Sequence, residues 1–223
     1  MSGSFVSPEL RARVRGAATP IAVGFGRLGL TPNHLTLIGF GIAILAAFAA
    51  AQQAWLAAGV LLLVGGIFDL FDGALARATG KASQLGAFMD SVFDRAGEGV
   101  VYVGIAAGCA AADFAAGTVL AAAALAAAFM VSYVRAKSES LGFTAGTGMA
   151  AVGLAPREVR IVILTIGLVG TGILGGIAYV DPGTLFSWDV WFGGRPALAT
   201  ALGLITILAT VTTLQRIVHV IRQ

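Results

Sequence analysis

The chain has 223 residues, 58% of them hydrophobic against 11% charged, and a mean hydropathy of +0.92. That balance excludes a soluble globular domain and implies an integral membrane protein. The net charge of +3 is small, so the placement of the basic residues says more than their sum.

Residues 1–31 read as an amphipathic juxtamembrane segment. Ser7-Pro8-Glu9 supplies a cap, a proline at the first helical position and an acid in the first turn. Leu10, Val14, Ala17 and Ala18 follow at helical spacing, accompanied by Arg11, Arg13 and Arg15. The segment is too charged to span, is interrupted by Pro20, and is expected to lie along the membrane surface. A secretory signal is not expected, because no convincing cleavage site follows the first long apolar run.

Thr31-Pro32-Asn33 opens residues 32–223, a membrane domain of six expected transmembrane helices at about 33–51, 54–77, 84–111, 115–140, 157–178 and 197–220. The expected fold is thus an all-α integral membrane protein with an amphipathic helix ahead of six spans. The 31 glycines and still more numerous alanines favour close helix approach. Cys109 lies in an apolar stretch and reads as an inert packed thiol. Between the last two spans, Tyr179, Phe186, Trp188, Trp191 and Phe192 resemble an interfacial aromatic belt.

Counting Lys and Arg by side orients the bundle. Arg11, Arg13, Arg15, Arg27, Arg77, Lys81, Arg95, Arg135, Lys137, Arg157, Arg160, Arg216 and Arg222 all fall on one side, and Arg195 alone falls on the other. The excess of positive charge places both termini in the cytoplasm, with the protein in the cytoplasmic membrane.

Four aspartates then stand at one end of consecutive apolar segments. Asp69, Asp72, Gly73 and Ala76 recur at i, i+3, i+4 and i+7; Gly86, Asp90 and Asp94 recur at i, i+4 and i+8 on the next helix. An ionised carboxylate in the bilayer costs about 2.5–3.5 kcal/mol on insertion scales, so the cluster calls for a cation. Singly, each aspartate could cap a helix end, snorkel or pair with Arg77, Lys81 or Arg95. Four on two matching faces, with glycines between them, point to a site. Carboxylates without His or Cys are hard-oxygen donors suited to Mg²⁺, Mn²⁺ or Ca²⁺. Four negative charges match about two divalent ions, and Arg77 adds donors for the same phosphates. A diphosphate is the implied ligand.

Asp69-Leu-Phe-Asp72-Gly73-Ala-Leu-Ala76-Arg77, continued by Gly86, Asp90 and Asp94 at fixed intervals, resembles the signature of the CDP-alcohol phosphotransferase family. The resemblance implies that Asp69, Asp72, Asp90 and Asp94 bind Mg²⁺, two ions per site with Mn²⁺ as an alternative. It implies that Asp94 is also the general base. Asp69, Gly73, Ala76, Arg77 and Gly86 would line the CDP-lipid pocket, with Asn33 as a further contact. The implied reaction is attack of an acceptor hydroxyl on the lipid-linked phosphorus of CDP-diacylglycerol or a related CDP-lipid, with CMP leaving.

A second, basic group bears on the acceptor. Ser132, Arg135, Lys137, Arg157, Arg160 and Arg216 gather on the expected cytosolic side and suit an anionic alcohol, although such residues also flank spans ordinarily. Ser132-Tyr133-Val-Arg135-Ala136-Lys137, the Arg157/Arg160 pair and Gln215-Arg216 resemble the branch of the family that makes phosphatidylinositol phosphate. That resemblance implies inositol 1-phosphate as acceptor, with Ser132, Arg135, Arg160 and Arg216 on its phosphate. The branch tends to have Lys then Arg where this chain has Arg135 and Lys137. Glycerol 3-phosphate is the competing acceptor. A cation transporter is the alternative of another class, but its charges would run through the membrane's depth rather than cluster at one end. A homodimer is implied by the family, and no nucleic-acid partner is expected. His34 and His219 read as interfacial side chains, and Glu98, one turn past Asp94, has no assigned role.

Overall fold

The computed structural model describes residues 8–143, 152–178 and 193–222, and among them the chain is all helix. The helices are α1 (Pro8–Arg27), α2 (Pro32–Ala51), α3 (Trp55–Ala78), α4 (Gln84–Ala111), α5 (Ala115–Ser140), α6 (Arg157–Ile173) and α7 (Gly194–Ile221). Ser7 and the expected aromatic belt at Tyr179, Phe186, Trp188, Trp191 and Phe192 lie outside the described residues.

Four of these helices, α2, α3, α5 and α7, are long and apolar enough to cross a membrane. Of the six expected spans, α6 is shorter, at 17 residues. The other, α4, carries Asp90, Asp94, Arg95 and Glu98 in its first half.

Local chemistry sets the ends. At the start of α2 the Thr31 hydroxyl accepts from the His34 N–H at 3.3 Å, and the Thr31 N–H donates to His34 Nδ1 at 3.4 Å. This is a capping box with histidine in the acceptor role usually taken by Glu or Gln. Ser83 caps α4, its hydroxyl accepting from the Gly86 N–H at 3.0 Å. Two differences from expectation are physical. Helix α1 runs unbroken through Pro20; the carbonyl that Pro20 cannot bond is that of Gly16, on an exposed turn. The same helix packs Ala18, Ala22 and Phe25 against Phe68, Phe71, Ala74 and Leu75 of α3, which offsets the lost bond. Helix α6 stops at Ile173 rather than near 178, because Gly175 and Gly176 adopt φ of 87° and 82°, and the Gly176 N–H turns back to the Thr171 carbonyl at 2.8 Å.

Helix α2 packs on α3 and α4, α5 on α4 and α7, and α6 on α3 and α7. Ala46, Ala50, Ala58, Ala121 and Ala124 are buried beside Tyr102, Ile105, Leu168 and Ile205. Gly104 and Gly108 let α4 meet the backbone of α2: a Cβ at either would collide with the carbonyl of Ala47 or Ala50. Gly104→Val is therefore expected to lower the thermal midpoint of the detergent-solubilised protein, by the equivalent of about 1–3 kcal/mol or more; an unchanged midpoint would show that the two helices can separate freely. Away from the aspartates, Arg195 donates to the carbonyls of Ile177 at 2.8 Å and Ala112 at 2.9 Å, and stacks over Phe114 at 5.1 Å.

Candidate active site

The helical period carries Asp69 and Asp72 toward α2 and α6, and Asp94 and Glu98 toward α6. Asp72 is buried and accepts from the Thr36 hydroxyl of α2 at 2.8 Å. Asp69 and Asp94 share one cation. Arg157, the first residue of α6, donates through a single terminal nitrogen to Asp69 Oδ2 at 2.7 Å and Asp94 Oδ1 at 2.8 Å. The second oxygen of Asp94 takes a terminal nitrogen of Arg95 at 3.3 Å. Asp90 is half-buried, with no hydrogen bond or ion pair among the described residues.

One turn deeper, Glu98 receives Arg160 through two parallel bonds of 2.7 Å each, and Arg160 also donates to the Ala155 carbonyl at 2.9 Å. Only 2% of Arg160 is exposed. Asp94 with Arg157 and Glu98 with Arg160 thus form two rungs between α4 and α6. They edge a narrow cavity of about 30 Å³, wide enough for water, that Gly39, Gly65, Gly66 and Tyr102 also line. The Tyr102 hydroxyl and the Arg157 Nε are buried without a partner among the described residues.

The glycines act by what they lack. Gly73 faces Arg77, whose guanidinium a Cβ would approach to 3.3 Å, and a Cβ at Gly86 would meet Ser83 Oγ at 3.1 Å and Asn33 Oδ1 at 3.5 Å. Asn33, Gly73, Ala76 and Gly86, near the ends of α2, α3 and α4, are half-buried, and Arg77 is exposed.

The basic group gathers only in part. Ser132 accepts from Arg95 Nε at 3.3 Å, so one arginine joins the aspartates to the expected acceptor side. Arg135 pairs with Glu139 at 2.8 Å, and Lys137 is exposed. Arg160 and Arg216 already have partners within the protein. Arg160 is committed to Glu98; Arg216, 4% exposed, donates to the carbonyls of Val152 at 3.0 Å and Val131 at 2.6 Å. Buried guanidinium groups take every acceptor within reach, because an unpaired donor there is expensive.

Three contributors carry roles here that the sequence does not assign them. Thr36 gave no signal beyond lying one turn after Asn33. Arg95 figures in the sequence as a possible partner of the aspartates but not as a link to Ser132. Glu98 stood at i+4 from Asp94, and the i, i+3 pair Arg157/Arg160 was its matching partner. No group of three or more His, Cys, Asp or Glu side chains among the described residues closes on one point as a metal would require. In this arrangement the Arg157 guanidinium fills the space between Asp69 and Asp94. The donor set still fits a hard divalent ion: it is all carboxylate, drawn from two helices, and already gathered around a positive charge.

A family model described as CDP-alcohol phosphatidyltransferase matches residues 29–221. An archaetidylinositol phosphate synthase of Pyrococcus horikoshii is 37% identical over 81% of this chain and 89% of its own length. A phosphatidylinositol phosphate synthase of Cutibacterium acnes is 36% identical over 96% of this chain and 97% of its own. Among solved structures, the Mycobacterium tuberculosis phosphatidylinositol phosphate synthase with CDP-DAG bound matches with a TM-score of 0.73 and 25% identity, covering 91% of this chain and 92% of that one. The same enzyme in complex with manganese and citrate matches with a TM-score of 0.73 and 25% identity, covering 91% and 88%. With its apolar helices, the family match makes this chain a membrane protein.

Proposed function

Since the chain belongs to the CDP-alcohol phosphatidyltransferase family, we propose that it transfers the phosphatidyl group of CDP-diacylglycerol to inositol 1-phosphate, giving phosphatidylinositol phosphate and CMP. The observation that carries this reading is Arg95, which bonds Asp94 on one side and Ser132 on the other. It sets the proposed base next to the proposed acceptor site. The names and identities of the relatives, archaeal and bacterial, support the inositol phosphate acceptor.

The acceptor hydroxyl attacks the lipid-linked phosphorus, a new P–O bond forms, and the bond to CMP breaks. Asp94 takes the hydroxyl proton. Mg²⁺ or Mn²⁺ held by Asp69, Asp72, Asp90 and Asp94 supplies charge neutralisation for the diphosphate; manganese in the tuberculosis enzyme supports this. Thr36 fixes one oxygen of Asp72, so that carboxylate faces its ligand in a single orientation. Gly73, Ala76 and Gly86 admit the nucleotide close to the backbone, with Asn33 and Arg77 as polar contacts. Ser132, Arg135, Lys137 and Arg157 hold the acceptor phosphate; Arg160 and Arg216 add their field and keep α6 and α7 in place.

The topology follows from the same reading. Helices α2 to α7 cross the cytoplasmic membrane, α1 lies along its inner surface, and the aspartates face the cytosol. The one-sided distribution of basic residues supports this orientation.

The test is a direct comparison of acceptors. Purified protein with CDP-diacylglycerol and Mg²⁺ is expected to release CMP and label lipid with inositol 1-phosphate. Labelling with glycerol 3-phosphate alone would overturn the acceptor assignment while leaving the transferase chemistry intact.

A further inference from the structure

Arg157 occupies a position that the proposed chemistry reserves for something else. Its terminal nitrogen lies 2.7 Å from Asp69 Oδ2 and 2.8 Å from Asp94 Oδ1. A magnesium-sized ion on those carboxylates would sit about 2.0–2.1 Å from the same oxygens. The two cations cannot share that space. Helix α6 itself is not free to move aside, because Arg160 is held by both oxygens of Glu98 and by the Ala155 carbonyl. Only the Arg157 side chain can yield, and its Nε is buried with no partner among the described residues.

We infer that Arg157 is a displaceable counter-cation: it neutralises Asp69 and Asp94 until a divalent ion arrives, and is then expelled toward the acceptor phosphate. This rests on the metal-dependent reading given above. Two consequences are built in. Asp94 Oδ1 exchanges Arg157 for the ion in a single event, so that the carboxylate is neutralised before and after loading. Because metal and acceptor phosphate both benefit from the displaced conformation, each strengthens binding of the other by the same factor.

The experiment measures Mn²⁺ binding to the full, detergent-solubilised chain by electron paramagnetic resonance of the free ion, with no CDP-lipid present. Arg157→Gln is expected to bind Mn²⁺ at least about tenfold more tightly than the parent, since no resident cation has to be expelled. Arg222→Gln removes the same charge from an exposed position at the end of α7, and is expected to leave Mn²⁺ affinity unchanged. Inositol 1-phosphate is expected to tighten Mn²⁺ binding to the parent and not to Arg157→Gln. Unchanged or weaker binding by Arg157→Gln, or equal tightening by Arg222→Gln, would overturn the inference. Arg157→Lys keeps the charge but loses the fork and is expected to tighten binding by a smaller factor; should it be the only variant that folds, parental affinity counts against the inference. A different acceptor would abolish only the inositol 1-phosphate effect, so failure of that assignment is read separately.

Discussion

Asp94→Asn is expected to reduce CMP release by a factor of about 10²–10⁴, the usual contribution of a positioned base, while the protein still retains CDP-diacylglycerol. The substitution preserves shape, so α4 is not disturbed. What changes is the chemistry of a group whose two oxygens face Arg157 at 2.8 Å and Arg95 at 3.3 Å. An amide cannot take a proton from the acceptor hydroxyl, and its NH₂ would confront an arginine that previously donated to a carboxylate. Turnover and retention of labelled CDP-lipid are measured side by side. Near-parental turnover would remove Asp94 from the proton-transfer step, whereas loss of lipid binding together with turnover would assign it to metal binding alone.

Glu98→Ala carries the largest expected effect on stability. It leaves Arg160, 2% exposed, with two of its three described bonds broken. Removing one member of a buried pair costs about 3–5 kcal/mol, because the other charge is stranded. A marked fall in thermal midpoint is expected, and replacing both partners with apolar residues, Glu98→Met with Arg160→Met, should recover much of it. Equal melting of Glu98→Ala and the parent would mean that water reaches Arg160 readily. Retained stability in the double variant, combined with lost activity, would show that this rung's principal service is to hold Arg157 one turn away.

Much of this molecule follows from periodicity. The apolar runs at 84–111 and 115–140 end at the same residues as α4 and α5, because each is bounded by a turn, at Ser83 and around Asp113, that breaks the helical pattern. The faces of Asp69 and Asp72, and of Asp94, needed only the helical repeat. Glycines misled where their conformation mattered. Nothing in Gly170, Gly172, Gly175 and Gly176 as letters distinguishes helical glycines from the two left-handed ones that end α6. Nor does composition reveal whether a proline at position 20 breaks a helix that has a partner to lean on. The pairing of long side chains was the least legible part. Whether Arg157 and Arg160 meet carboxylates, phosphates or carbonyls depends on the register of α6 against α3 and α4, which no local pattern encodes. Spacing did hold one clue: carboxylates at i, i+4 facing arginines at i, i+3 can form two rungs.

Arg216 has a consequence for the order in which the protein comes together during synthesis. Its guanidinium closes on Val131 and Val152, partners 85 and 64 residues earlier in the chain. The Thr36–Asp72 bond, by contrast, spans 36 residues and joins helices made near the beginning. A chain emerging from the ribosome can therefore complete its carboxylate-bearing half, α2 to α4, while the basic half still waits for α7. Until that last helix docks, the Arg216 guanidinium has neither of these carbonyls to close on, and the junction between α5, the segment before α6 and α7 is made last.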